Sequence, residues 1–568
     1  MKSTIYFRKR RWHTGLVSCA VFALGLLVAA GDVRADGKRD SSDDGATPKL
    51  GVGGLIDLGR PHYSPARSPR HEDIPPGGVG YNFRFIGHNP LIQTGGSLPR
   101  GAGGNDFNIA RNCGYASTKD NNQGIMILDI SDPANMRVVK EMAPIAPGLV
   151  VTTDHIPIIE SANLMIEDAE SLNTNFIQLW DISDCFNPKL ASRCDIPDTT
   201  HDLKSVWHGG NPYKMLLIES FNARGGAAAG PFPAAPRDVD LRIYDITDKY
   251  NPNCTPIAEF SMQQVYGMPV REAADLLLNG GYTRTFSFHD VNMSASDHLS
   301  PAGFPTRIYV AGYAQGNFLL DSTPLATMLA GGARCDAKAT DPNPCVKKLH
   351  PDPDVAFKTD PPWSHSNSHT FAKIPGRPYA VASDEPGPCP WGWLRFLYVG
   401  GTVTDPGNIG VEMPLGSGQT LRGDLFPSQV GAFRIPENRE WECEANTAKF
   451  SQNVSGDASF NPHLHLIFPN IMFTSWNNAG IRAIDISDPG MPFELGAYFP
   501  HPVGRTAAGD LRPDLSLNSP PVLKDGLIYV MDRINGVYVF EYTGPRRNEV
   551  PKRGLYTQEQ NQVPFRQP

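Results

Sequence analysis

The chain has 568 residues, 55 of them Gly and 52 Pro, with 19% charged and 40% hydrophobic residues and a formal net charge of −8. Gly and Pro make up about a fifth of the chain, against a usual level near an eighth, which argues for many turns and few long helices. A strict three-residue glycine period is absent, which excludes a collagen helix; 27 Phe, 18 Tyr and 8 Trp supply enough apolar surface to exclude a disordered chain. No basic run follows the N-terminal region, so the clustered Lys and Arg that a nucleic-acid partner requires are missing.

In chain order, residues 1–35 read as a secretory signal. Arg8-Lys9-Arg10-Arg11 forms a positive start, Leu16 to Ala30 an apolar run, and Val33-Arg34-Ala35 a cleavage site. The run of about fifteen apolar residues falls short of the roughly 20 that span a bilayer, and no later stretch is long or apolar enough. The mature chain is therefore expected to start near Asp36, without a transmembrane segment, in the periplasm or at the cell surface. Residues 36–79, rich in Asp, Gly, Pro and Arg, read as a flexible N-terminal arm, and residues 546–568 as a polar C-terminal tail. Eight cysteines remain after Cys19, an even number that suits an oxidising compartment. Cys335 with Cys345, and Cys389 with Cys443, are plausible bridges. A thiolate zinc site has little support, since no CxxC pair exists.

Between residues 80 and 545 one pattern recurs: an alternating apolar run, then Asp-Ile-Ser/Thr-Asp, then Pro. It stands at Ile127–Pro133, Leu179–Asp184, Ile243–Asp248 and Ala483–Pro489, with degraded copies at Phe318–Asp321, Gly431–Pro436 and Val537–Glu541. Alternation with β-branched and aromatic residues predicts a strand with one buried face, and Ser/Thr-Asp followed by Pro is turn chemistry. A glycine often opens the strand, as at Gly124, Gly480 and Gly536. Seven copies spaced about 50 residues apart where nothing is inserted predict an all-β, seven-bladed β-propeller. Its closure requires an N-terminal strand, Tyr81 to Ile86, beside the last blade's strand at 537–542. The Asp-Ile-Ser-Asp-Pro pattern resembles the LVIVD-repeat family of extracytoplasmic β-propellers, a resemblance that covers roughly residues 80–545 and implies the fold without implying an activity.

Aligning the blades on the end of the innermost strand places His201, His369 and His463 five residues before Val206, Ile374 and Phe468. Asn518 takes the slot in the last blade, and His289 stands five before Ser294. His155 beside Asp154, and Asn105, stand near the slot in the other blades. Equivalent residues at the starts of inner strands ring one mouth of a propeller, and converging neutral imidazoles suit a transition metal: copper or iron, less readily zinc. Asp202, Asp290 and Glu385 are candidate outer-shell or proton-transfer carboxylates, with Asp384 beside Glu385; His208, His365 and His465 lie near in sequence. A histidine ring held only by bonds to neighbouring blades' backbone is the structural alternative. Long insertions at 221–237, 322–363 and 386–428 are expected on the histidine face, with Phe232, Trp363, Trp391, Trp393, Phe396 and Phe426 walling a pocket or packing the loops. Carotenoid-cleaving oxygenases and methanethiol oxidases of the selenium-binding type resemble this chain in architecture, and imply a metal-dependent oxidoreductase acting on a small apolar or aromatic substrate. The alternative is a non-catalytic propeller that binds a protein or glycan through its loop face.

Overall fold

The alternating runs form strands, and the strands follow one another as antiparallel meanders. The computed structural model describes residues 62–63, 68–69, 73–91, 106–117, 125–142, 155–168, 176–196, 204–220, 239–261, 264–265, 288–293, 298–312, 317–349, 368–384, 392–400, 412–415, 419–422, 427–438, 460–503, 515, 517 and 519–557. Contacts divide the chain into two units, 1–56 and 57–568, and every described residue lies in the second. The expected signal segment lies outside the described residues.

Seven sheets make the seven blades of a β-propeller. Blade 1 runs from inner to outer edge through Phe107–Ala110, Cys113–Ala116, Met126–Asp129 and Arg137–Glu141. Blades 4, 5 and 6 begin with the inner strands Asp290–Met293, Ser368–Lys373 and Pro462–Ile467. The core lies in the seams between blades. Ile374, Val381 and Phe396 of blade 5 meet Ile467, Met472 and Trp476 of blade 6, all buried. Because side chains alternate along a strand, each blade feeds one seam with its odd positions and the other with its even ones.

The repeated turn is a pair of nested side-chain turns. Asp129 accepts the Ser131 backbone N–H at 3.0 Å and its hydroxyl at 2.6 Å; Asp132 accepts the Ala134 N–H at 3.1 Å. Asp181, Asp245 and Asp485 each take the N–H two residues on in the same way. The glycines that open third strands have a reason. Gly480 and Gly536 sit at φ +74° and +93°, and a Cβ there would lie 2.1 Å from the Tyr498 carbonyl oxygen and 2.2 Å from that of Asn89. Gly124 lies outside the described residues.

Closure runs as expected, with a shift. Phe83–Asn89 pairs antiparallel with Gly536–Tyr542, Phe83 opposite Tyr542. Tyr81 belongs instead to Val79–Tyr81, which pairs with the outer strand of blade 6. Upstream, His62–Tyr63 pairs in parallel with Phe433–Arg434 at the outer edge of blade 5. Where it is described, the arm pairs along the edges of blades 5 and 6. The tail also returns: Leu555–Tyr556 pairs with Leu523–Lys524 of blade 7.

Three disulfides are present among the described residues. Cys335–Cys345 matches the expected local bridge; Cys113–Cys185 and Cys194–Cys254 join blade 1 to 2 and blade 2 to 3. Cys389 and Cys443 lie outside the described residues.

Two assignments change. The third strand of blade 5 is Leu394–Tyr398, and the expected copy at Gly431–Pro436 falls in the outer strand Ser428–Arg434. Its glycine drew the pattern because it serves the next blade's turn: a Cβ on Gly431 would lie 2.1 Å from the Pro489 carbonyl oxygen. The insertions also divide between faces. Residues 322–346, with the helix Thr323–Leu329, and residues 399–427 join third strands to outer strands. They emerge on the face opposite the histidine slot, because each strand reverses direction. Trp393 and Phe396 are fully buried in blade 5 rather than walls of a pocket. Phe232, Trp363, Trp391 and Phe426 lie outside the described residues.

Candidate metal centre

The histidine slot falls at the beginning of the inner strands, where the chain enters each blade from one mouth. His289 directly precedes its strand, and His369 and His463 are the second residues of theirs. All three are buried. The His289 and His369 ring centroids lie 4.2 Å apart, and those of His369 and His463 also 4.2 Å. Three consecutive blades therefore bring three imidazoles into one row, with His369 in the middle. His201 and Asp202 of blade 3 lie outside the described residues, as do Glu385, His365, Asn105 and Asn518.

The hydrogen bonds orient these rings. His289 Nδ1 lies 3.0 Å from the His369 backbone oxygen. A carbonyl only accepts, so in the neutral ring Nδ1 carries the proton and Nε2 the lone pair. His369 Nδ1 lies 3.2 Å from Thr370 Oγ1, and that hydroxyl donates to the His463 carbonyl at 3.4 Å. With Nδ1–H donating to Thr370 and Thr370 donating onward, both bonds form; with the hydroxyl turned to Nδ1, only one does. Ser383 donates to the same His463 carbonyl at 3.2 Å.

His465 completes the set from deeper in the strand. It is buried, opposite Thr474 in the hairpin, with Nδ1 2.7 Å from Thr474 Oγ1. Thr474 has carbonyls to donate to, Ser475 at 3.3 Å and Leu464 at 3.4 Å. The ring and the Thr474 hydroxyl share the shortest of these contacts. Burial, reinforced by the neighbouring His463, pulls His465 down to about 3, so the ring stays neutral near pH 7. Its Nε2 is buried with no hydrogen-bond partner among the described residues.

The carboxylates divide. Asp290 is buried, and its Oδ2 accepts from Asn292 Nδ2 at 2.9 Å; Asn292 also donates to the Phe371 carbonyl in blade 5. Asp384, opposite Ser368 in blade 5, is fully buried against Arg395 Nε at 2.7 Å. Burial pushes its carboxyl up, against the pull of Arg395. Ser368 in turn donates to Asn317 Oδ1 of blade 4. His155 is buried in blade 2, with Nδ1 3.9 Å from Asp106 Oδ2. His208 stands at the other end of its strand, by Tyr213, and burial lowers its pKa.

For bonds of about 2.0–2.1 Å, the centroid of a ligating imidazole lies about 3.2 Å from the metal, and ligands at right angles put their centroids about 4.5 Å apart. The observed 4.2 Å spacings fall just inside that value. Among the described residues no group of three or more His, Cys, Asp or Glu side chains is placed to hold a metal ion. Imidazole is a suitable donor type for a transition metal, and the Nδ1 atoms of His289 and His369 are turned to protein acceptors, but the ring positions as they stand do not form a metal site.

Fold and row together describe a seven-bladed β-propeller with imidazoles gathered at one mouth. The LVIVD repeat model matches residues 103–143, the whole of blade 1, so the propeller carries an LVIVD repeat. No curated protein matches the chain. Among solved structures it is similar to Chaetomium thermophilum Sqt1 bound to the N-terminus of the ribosomal protein L10, at 10% identity and a TM-score of 0.36, over 76% of this chain and 84% of that one.

The inner-strand alignment brought His289, His369 and His463 into view. Thr370, Thr474 and the place of His465 in the same seam were missed. Thr474 meets His465 only through the hairpin register, which no residue spacing announces.

Proposed function

We propose that this propeller is an exported metal-dependent oxidoreductase that binds copper or iron at the histidine row and acts on a small apolar or aromatic substrate at that mouth. The observation that carries the reading is the row of His289, His369 and His463 at 4.2 Å spacings, with the Nδ1 atoms of His289 and His369 turned to protein acceptors. A bound copper or iron supplies dioxygen activation or electron acceptance. The chain supplies buried imidazoles, those of His289 and His369 with Nδ1 turned to protein acceptors, and the buried carboxyl of Asp290. Asp290 is placed to hold Asn292 across the seam, and Asp202 and Glu385 remain the proposed proton-transfer groups. Three disulfides suit the oxidising compartment that export implies.

A second reading has its own observation. The His289 to His369 carbonyl bond resembles the inter-blade bonds of Asn108 to Ile156 and Asn292 to Phe371, which hold seams without metal. On that reading the propeller is a non-catalytic periplasmic or surface module that binds a protein or glycan through its loops.

Elemental analysis of the full chain purified from a periplasm separates them. Near-stoichiometric copper or iron, lost in His369→Ala while the melting profile persists, is the expected result. A parent protein that takes up neither metal after loading overturns the oxidoreductase reading.

A further inference from the structure

The polar tail that begins at residue 546 does not stay outside the ring where it is described. From the end of Gly536–Tyr542 the chain crosses the face opposite the histidine row, moving inward. Arg546 bonds Asp485 at 2.5 Å and Ser487 at 2.8 Å in the blade 6 turn, and Glu549 accepts from Asn470 at 2.9 Å. Gly554 is clasped by Asp525: its carbonyl accepts the Asp525 N–H at 2.9 Å, and its own N–H donates to the Asp525 carboxylate at 3.0 Å. Leu555–Tyr556 then takes the inner edge of Val522–Lys524, the edge that faces the axis of a propeller. The Tyr556 and Phe468 ring centroids lie 5.9 Å apart at the end of the blade 6 inner strand, and Thr557 is only 1% exposed.

The pairing also sets a direction. Inner strands run away from the histidine mouth, and Leu555–Tyr556 is antiparallel to its partner, so the chain leaves Tyr556 heading along the channel toward the row. Residues 558–568 lie outside the described residues. We infer that the C-terminal segment is an intramolecular plug: Leu555–Thr557 closes the channel at the face opposite the histidines, and residues 558–562 continue inside it toward the level of the row. The reach is sufficient. Tyr556 stands opposite Leu523, five residues past Asn518, the blade 7 position of the histidine slot; Asn561 lies five residues past Tyr556. Five extended residues cover about 17 Å at about 3.3 Å each. Pro520 and Pro521 have no N–H to offer, so beyond Tyr556 the segment is held by side chains rather than by a backbone ladder. Its composition suits that role. Gln558, Gln560, Asn561 and Gln562 carry amides that both donate and accept, Glu559 adds a carboxylate, and the inner strands beside them bring the buried Asn461, His463 and Ser519. With the far end closed, a small molecule reaches the row only through the histidine mouth, whether or not a metal is bound.

Amide hydrogen exchange of the full chain, read by mass spectrometry, is expected to be slowed at 558–562 by at least about tenfold against the intrinsic rate. Exchange at the intrinsic rate overturns the placement of that stretch. Paired cysteines fix the location. Asn561→Cys with Asn518→Cys is expected to form an intramolecular bridge under mild oxidation; Asn561→Cys with Val139→Cys, on the exposed outer edge of blade 1, is expected to form none. Bridging at 139 as readily as at 518, or at neither, overturns the inference. A chain ending at Gly554 keeps four strands in blade 7, as blade 1 has. Its amides at 522–524 are expected to exchange at least about tenfold faster than in the parent; unchanged rates there overturn the closure of the far face.

Discussion

Side chain by side chain, buried polar pairs help to specify the molecule. Arg395 and Asp384 are the clearest pair, with no exposed side-chain surface and a 2.7 Å contact. The Arg395 guanidinium also lies 4.6 Å from the Trp393 ring centroid. Removing one member leaves a charge stranded in the interior, which costs about 3–5 kcal/mol. Arg395→Leu is therefore expected to lower unfolding stability by that amount in a denaturant titration; a loss below about 1 kcal/mol would mean that water reaches Asp384. At this scale the sequence was partly legible. The recurrence of His289, His369 and His463 at one offset pointed to the row, because copies of a repeat put equivalent residues in equivalent places. Trp393 and Phe396 were misplaced because a long loop in sequence hides a strand, and apolar residues there look the same whether they wall a pocket or fill a core. Thr370 and Thr474 carried no signal, since threonine is common in strands for packing reasons alone.

Between strands, the repeated turn does more than reverse the chain. In blade 6 it ends at Pro489–Gly490 and lies on the outer strand of blade 5, where Gly431 leaves room; in blade 1, Pro133–Ala134 lies on Gly87 of blade 7 in the same way. The turn of one blade is thus seated on the edge of the blade before it. Gly431→Ala would force a Cβ to 2.1 Å from the Pro489 oxygen. The expected cost is about 1–3 kcal/mol, the usual penalty of overpacking, with a similar effect at Gly87. A neutral melting temperature in both variants would show that the turns move aside freely. This seating explains why an outer strand in blade 5 carries a glycine-led copy of the pattern that resembles a third strand: glycine stands at both ends of the contact, at Gly431 and Gly490. Strand type and number were legible from alternation and turn residues. The face on which an insertion emerges was not, because it depends on whether an unseen strand lies inside the insertion.

At the level of the whole ring, neighbouring blades are joined by different means. Disulfides connect blades 1, 2 and 3, while the N-terminal arm lays strands on blades 5, 6 and 7 in turn. A chain that starts at residue 79 loses the pairing at His62–Tyr63, the bond from Ser68 N–H to Glu437, and the buried Ile74 with its contact to His501. A chain that starts at residue 91 also loses the closing strand and the buried Phe83. The first is expected to fall by about 1.5–3 kcal/mol, the cost of Ile74; the second by upward of about 3 kcal/mol more, from one buried aromatic and an unpaired blade edge. Equal stability of the two truncations would remove closure from its central place.

That closing strand also sets a clock. Arg84 and Glu541, which face each other in the last blade, are 457 residues apart in sequence. At about 5–20 residues per second, synthesis needs between about twenty seconds and a minute and a half to produce the partner of a strand made near the start. Throughout that interval the edge at Phe83–Asn89 has nothing of its own to pair with, and loop closure over so long a span comes late. The earliest part of the propeller to be made is the last to be locked, so a ribosome stalled before blade 7 would release six blades with an open ring and a free β-edge.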